Sequence, residues 1–281
     1  MSASLPAPTL DHVVINTRDR LDEAVEQYRR LGFTMTPRGY HSLGSMNHLA
    51  IFGTEYLELL AAGTGANRRP DIMQHPVGLN GLVFGTDDSA SAYAAVKAAG
   101  VPIDAPMEFN RPVQLDSGTR DAVFRTVTLV PGTIPAGRIY FCHHFTRDLV
   151  WRDEWRHHAN GTVGVLRAVI AAETPEVPGT VFSRMFGSDA LRPIRGGERL
   201  VVGLSAFDIV TPNEVAVQFG DAEPGGDGRT QYMAGLTLRT RSLALTRAAL
   251  RAGGIEGVRD EDDRLVVPAA QAMGAVLEFR E

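Results

Sequence analysis

The chain has 281 residues, 44% of them apolar and 22% charged, with a formal net charge of −5. That is globular composition, with length for one large domain or two moderate ones, and it excludes collagen-like, disordered and disulfide-scaffold chains. All but one of the 28 basic residues are arginines, Lys97 being the exception, and they lie scattered among acidic neighbours, so no nucleic-acid footprint is present. A single cysteine, Cys142, excludes an intrachain disulfide and any Cys-rich zinc site. No apolar stretch approaches the roughly 20 residues of a membrane span. Residues 1–8 carry no basic region leading into a long apolar run, so the expectation is a soluble, cytoplasmic protein without membrane association.

In chain order, residues 10–17 (LDHVVINT) read as a short β-branched strand. Residues 21–31 place Leu21, Ala24, Val25, Tyr28 and Leu31 at helical spacing, with Gly32 as the stop. Residues 33–36, 47–52 and 56–61 give three further strands separated by Gly- and Ser-bearing turns, completing a βαβββ unit. The unit recurs. Residues 79–87 (LNGLVFGTD) lie over 10–18 without a gap and precede a helix at 90–99 closed by Gly100, then strands at 121–130 and 138–144. A third copy follows the loop 157–162, with a strand at 166–172, a helix near 177–186 stopped by Gly187, and strands at 199–207 and 214–219. A fourth has a strand at 234–240, a helix at 242–252 ended by Gly253 and Gly254, and a closing strand at 275–280; the loop 220–229 is the most flexible connector.

Strand alternation sorts the polar residues. His12 shares a face with Val14 and Asn16, and Glu58 shares one with Tyr56 and Leu60, so both can point away from the helices. A carboxylate flanked by Leu57, Leu59 and Leu60 needs a cation partner if buried. That partner is a metal ion, His12, or Arg125 in an ion pair. His12 itself is either a ligand or a hydrogen-bonded core residue. Cys142 on a buried strand reads as an inert thiol, and His157 and His158 as packing residues rather than a second metal site. No nucleophile elbow, phosphate loop or dinucleotide fingerprint occurs.

Four βαβββ modules, with LDHVVINT as a first strand and EYLELLAA as a fourth, resemble the vicinal oxygen chelate superfamily of glyoxalases, extradiol dioxygenases and antibiotic-resistance proteins. The runs GYHSLGSMNHL (39–49) and FCHHFTRDLVWRDEWRHHANG (141–161) are similar to its glyoxalase-like domain branch. The resemblance implies an α+β fold in which four βαβββ modules pair into two cup-shaped, partly open mixed sheets with helices outside. It implies an N-terminal domain at 1–158 carrying the site and a degenerate C-terminal domain at 159–281. In paired modules the superfamily takes a His from a first strand and a Glu from a last strand for a divalent Fe, Mn, Ni or Zn ion. His12 and Glu58 match. Sequence alignment places Gly81, Ala168 and Gly235 opposite His12, and Cys142 opposite Glu58, with His144 one pleat further as a third ligand; Glu278 matches Glu58 in the fourth module.

The expected chemistry is a metal-dependent lyase or isomerase acting on a small oxygenated molecule, with Glu58 or His144 moving the proton. His41, Asn47, Tyr56, Arg125 and Tyr140 are the expected substrate-binding residues. An extradiol-type dioxygenase requires His144 as a ligand. A metal-free protein resembling the bleomycin-resistance type, with Tyr56, Phe84, Phe124 and Tyr140 lining the cup, is the alternative from a different class. A homodimer is compatible with four modules, and pairing of module one with two or with four stays open.

Overall fold

A computed structural model describes residues 5–65 and 68–281; the reading of residues 1–8 falls partly outside them. The first module runs β1 (Leu10–Arg18), α1 (Leu21–Arg30), β2 (Gly39–Tyr40), β3 (Met46–Ile51) and β4 (Tyr56–Ala61). Helix α1 buries Leu21, Ala24, Val25 and Tyr28. It ends at Gly32, whose φ of +88° lies where a side chain is strained. A short helix α2 (Pro70–Gln74) leads to the second module: β5 (Gly78–Gly85), α3 (Ser89–Ala98), β6 (Met107–Leu115), β7 (Gly118–Thr128) and β8 (Arg138–His144). The Asp88 side chain caps α3 by accepting from the Ala90 and Ser91 amides.

The third module comprises β9 (Thr162–Ala172), α4 (Glu176–Phe186), β10 (Leu191–Ile194), β11 (Gly197–Val202) and β12 (Ser205–Val210), and is followed by α5 (Pro212–Phe219). The fourth comprises β13 (Gln231–Thr240), α6 (Leu243–Ala252), β14 (Arg259–Glu261), β15 (Arg264–Val267) and β16 (Val276–Arg280).

Among the described residues these strands form two eight-stranded mixed sheets, ordered β2-β3-β4-β1-β5-β8-β7-β6 and β10-β11-β12-β9-β13-β16-β15-β14. Module one therefore pairs with two, and three with four, through the antiparallel β1/β5 and β9/β13 contacts. Each sheet curls into a cup. In the first, edge strands β2 and β6 meet where the Ser42 amide donates to the Asn110 carbonyl at 2.8 Å, nearly closing a barrel.

Four sequence expectations differ from the structure. Residues 33–36 form no strand, and Gly39–Tyr40 supplies that edge instead. Strand β6 was not anticipated, because Arg111 and Pro112 interrupt its apolar alternation. Residues 199–207 are a hairpin turning at Gly203, where φ is +58°. Residues 214–219 belong to helix α5, with Thr211 accepting from the Glu214 amide as cap and Pro212 in the first turn, a start signal that outweighs the short apolar alternation.

The outer faces of both cups share one apolar core with α1, α3, α4 and α6. Phe84 lies there, its ring 4.9 Å from Phe186 and 5.5 Å from Phe207. The inner faces are separate. The C-terminal cup is filled by Val215 and Phe219 of α5, packed on Val169, Val210 and Tyr232. The corresponding α2, with five residues, sends in only Ile72 as a fully buried side chain and leaves the N-terminal cup open. No helix among the described residues is long and apolar enough to cross a membrane.

Candidate functional site

The N-terminal cup encloses a cavity of about 290 Å³, at the small end of ligand-sized spaces. His12, Tyr56, Glu58, Asn47, His41 and Tyr140 all line it.

The β1/β5 register passes from Leu10 opposite Phe84 to His12 opposite Val83, so Asp11 is an extra, bulged residue. A bulge breaks the two-residue alternation and lets neighbouring side chains reach the same face. Asp11 Oδ1 accordingly lies 2.6 Å from His12 Nδ1 and 2.9 Å from His144 Nε2, with Arg147 Nη1 3.7 Å from the other oxygen. Burial raises the Asp11 pKa, but the charge of His144 and hydrogen bonds from both histidines outweigh it and hold the carboxyl well below the usual carboxylate range. An ionised Asp11 only accepts, so His12 Nδ1 and His144 Nε2 donate. His12 Nε2 is then the atom that faces the cavity. It lies 3.0 Å from the Tyr140 hydroxyl and 3.7 Å from Glu58 Oε2. The Tyr56 ring stacks on the imidazole at 4.4 Å.

Glu58 is held from its other oxygen, where Asn47 Nδ2 donates to Oε1 at 2.7 Å. Asn47 also lies 3.3 Å from His41 Nε2, and His41 Nδ1 lies 2.8 Å from Ser45 Oγ. Burial pushes the His41 pKa down to about 4, with Glu58 opposing and Arg111 assisting, so this imidazole is neutral at pH 7. Gly39 makes the seam possible: a Cβ there would sit 2.3 Å from Asn47 Oδ1 and 3.0 Å from Arg111 Cδ. Arg111, on β6, lines the cavity and is only 4% exposed.

Other expected residues lie elsewhere. Arg125 faces outward, pairs with Glu108 at 2.7 Å and stacks over Phe145, because Phe124 and Thr126 take the inward positions on β7; it meets neither Glu58 nor the cavity. Phe84 faces the shared outer core rather than the cup. His144 is on the inner face but sits behind His12, against Asp11. Burial pushes the Cys142 thiol up, which keeps it protonated and unreactive. His158 uses both ring nitrogens on backbone, Nδ1 accepting from the Thr34 amide and Nε2 donating to the Ile51 carbonyl, and has none left for a metal. Asp11 and Arg111 escaped the sequence reading. The signal for Arg111 is a charged residue flanked at two-residue spacing by Phe109 and Val113.

Two donor sets, sharing His12, fit a divalent cation. Asp11, His12 and His144 each offer one atom within 4.8 Å of the others, all buried. His12 Nε2 and Glu58 Oε2 form the second set, with the Tyr140 hydroxyl beside them. Each of these two donors is oriented by an outer partner, Asp11 or Asn47, in the manner of metal ligands.

The strand registers locate equivalent positions in the four modules. Glu58 lies opposite Val14, Tyr140 opposite Val83, Asp208 opposite Val169 and Glu278 opposite Thr237. Tyr140, not Cys142, therefore occupies the place of Glu58 in module two. Two residues before those partners stand His12, Gly81, Arg167 and Gly235, so Arg167 rather than Ala168 replaces His12. At Gly81 a Cβ would sit 2.8 Å from the Val14 Cβ, which excludes a histidine without movement of β1. In the C-terminal cup Arg167 reaches Asp208 at 3.2 Å, Glu278 at 2.9 Å and Thr237 at 3.0 Å. A guanidinium there satisfies the two carboxylates.

Among curated proteins none matches this chain in sequence. In structure it is similar to a hypothetical protein from Staphylococcus aureus, with a TM-score of 0.70 at 11% identity, covering 97% of this chain and 99% of that one. It is also similar to a mutant of 4-hydroxymandelate synthase from Streptomyces coelicolor, with a TM-score of 0.58 at 14% identity over 99% and 94% of the two chains. A xylose isomerase-like TIM barrel/4-hydroxyphenylpyruvate dioxygenase fusion protein gives 0.59 at 12% identity, over all of this chain and 50% of that one. The glyoxalase-like domain family matches residues 10–186. With the match spanning more than half its length, the chain belongs to the glyoxalase-like domain family.

Proposed function

We propose that the protein is a lyase or isomerase of the glyoxalase-like type, acting in the N-terminal cup on a small oxygenated molecule with a divalent ion held by His12 Nε2 and Glu58. The observation that carries this reading is the convergence of those two donors, 3.7 Å apart on the cavity wall and each held from behind. A divalent ion bound there would supply Lewis acidity to the substrate oxygens. Asp11 holds the His12 tautomer that turns Nε2 to the cavity. Glu58 Oε2, which Asn47 leaves free, would leave the ion to take the proton from a carbon beside the substrate oxygens. Protonated Glu58 returns the proton to the product, while the Tyr140 hydroxyl, kept protonated because burial pushes its pKa well up, donates a hydrogen bond to the substrate oxygen.

A metal-free binding protein is the second reading. It is favoured by Gly81 and Tyr140 standing at two of the four positions where donors were expected. The dioxygenase reading requires His144 to leave Asp11 for the ion.

Elemental analysis of protein purified without chelator or nickel resin tests the proposal. Near-stoichiometric metal, lost in both His12→Ala and Glu58→Ala, is the expected result. Metal kept in Glu58→Ala but lost in His144→Ala moves the ion to Asp11, His12 and His144. No metal in the wild type after soaking with Mn, Fe, Ni and Zn overturns the proposal.

A further inference from the structure

Arg111 is buried in the N-terminal cup without a counter-ion. It is 4% exposed, forms no ion pair among the described residues, and its Nε and Nη2 have no hydrogen-bond partner there. An isolated buried cation is costly, and a fold keeps one where something else compensates it. The C-terminal cup shows the compensated case, where Arg167 is met by Asp208, Glu278, Thr237 and Gln218. In the N-terminal cup no carboxylate among the described residues lies within ion-pair distance of Arg111: Glu58 bonds Asn47 and faces His12, and Asp71 pairs with Arg69 at 2.6 Å. His41 is uncharged and supplies no balance. Arg138, on the same cavity, likewise has Nε and Nη2 unpartnered.

The identity of the free atoms is informative. Nε and Nη2 are the two N–H groups along one edge of a guanidinium, the edge that receives both oxygens of a carboxylate in parallel. The Arg111 guanidinium lies 6.0 Å from the Phe124 ring centroid, and Phe124 stacks with Phe109 at 5.2 Å, so the wall beside it is aromatic.

We propose that the ligand of this cup is a small organic carboxylate with an apolar or aromatic body, received edge-on by Arg111. The inference rests on the cup being the substrate site and deepens that reading by naming the substrate class. It does not depend on the metal. The carboxylate supplies the direct ion pair and the two hydrogen bonds that Arg111 lacks, and the rest of the molecule extends between the aromatic wall and the face carrying His12 and Glu58.

The test is ligand-observed NMR binding to the full chain. Acetate, pyruvate, benzoate and phenylacetate are each compared with the corresponding amide, on wild type, Arg111→Lys and Arg111→Met, with thermal midpoints and metal content measured in parallel. The expected result is that at least one acid binds about tenfold or more tighter than its amide. Arg111→Met abolishes that preference and Arg111→Lys, which keeps charge without the edge, is intermediate. The thermal midpoint of Arg111→Met is unchanged or raised, because an uncompensated buried charge has gone. The inference is overturned if no acid is preferred over its amide, if Arg111→Met keeps the preference, or if its midpoint falls, which would make Arg111 a structural residue. An Arg111-dependent preference in a wild type that holds no metal sustains this inference while the metal reading falls. Stoichiometric metal without any preference for acids does the reverse.

Discussion

Replacing Asp11 by Asn removes one buried charge and little volume, and its effect can be worked from the contacts. Asp11 Oδ1 receives two imidazole N–H groups, at 2.6 and 2.9 Å. Hydrogen bonds to a charged group contribute about 1.5–3 kcal/mol each and neutral ones about 0.5–1.5. Two such bonds weakened together cost about 2–3 kcal/mol. The new amide group would also face Arg147 donor to donor, where Oδ2 now lies 3.7 Å from the guanidinium.

The acid dependence follows from the same contacts. The folded pKa of Asp11 is depressed below its unfolded value of about 3.9. Its contribution is therefore fully present above that pH and is lost as pH falls towards the folded value. Urea unfolding at pH 7 should show the Asn variant less stable by the stated amount, and the gap should narrow at pH 3.5. Metal affinity, measured by chelator competition, should fall by about 10–100-fold, as for other outer partners of ligands. A stability difference at pH 7 of less than about 0.5 kcal/mol, or one that ignores acid, would refute the reasoning that Asp11 acts as an ionised brace.

Two further outcomes are expected. Phe84→Ala, at a site with no solvent exposure between the halves, should cost about 3–5 kcal/mol in urea unfolding while leaving metal content unchanged; two resolved transitions in the wild type would contradict a single shared core. His158 has its pKa lowered to about 4, chiefly by burial and only partly offset by the Ile51 carbonyl. The unfolded chain, with a histidine pKa near 6.5, takes up the proton first, so stability is fully present above about pH 6.5 and declines to about pH 4, by roughly 3 kcal/mol for this residue. Unfolding free energies across that range should fall less steeply in His158→Gln, and an unchanged slope would remove His158 as the cause.

Much of the fold is legible in the chain because each module repeats the same signals: a β-branched strand, an amphipathic helix and a glycine stop such as Gly32. The inward direction of His12, Glu58, Asn47 and Tyr140 is also legible, since alternation on a regular strand decides it. Alternation likewise misassigns Asp11, because one extra residue in β1 overrides the period locally. Phe84 and Arg125 have side chains suited to a cup wall, yet both face outward, because alternation along β5 and β7 gives the inward positions to Val83, Phe124 and Thr126. The start of α5 was written in Thr211 and Pro212 but was outweighed by a short apolar alternation.

What the sequence determines by itself is therefore the repeated module, the family resemblance and the residues available to the first and last strands of each module. Only the tertiary structure decides that module one pairs with two, that Tyr140 rather than Cys142 stands opposite Val83, and that Arg111 from an edge strand lies beside Gly39 and lines the cavity. Those are non-local facts. Register, bulges and the closure of a sheet depend on which strands hydrogen-bond to which, and no local period in the chain carries that information.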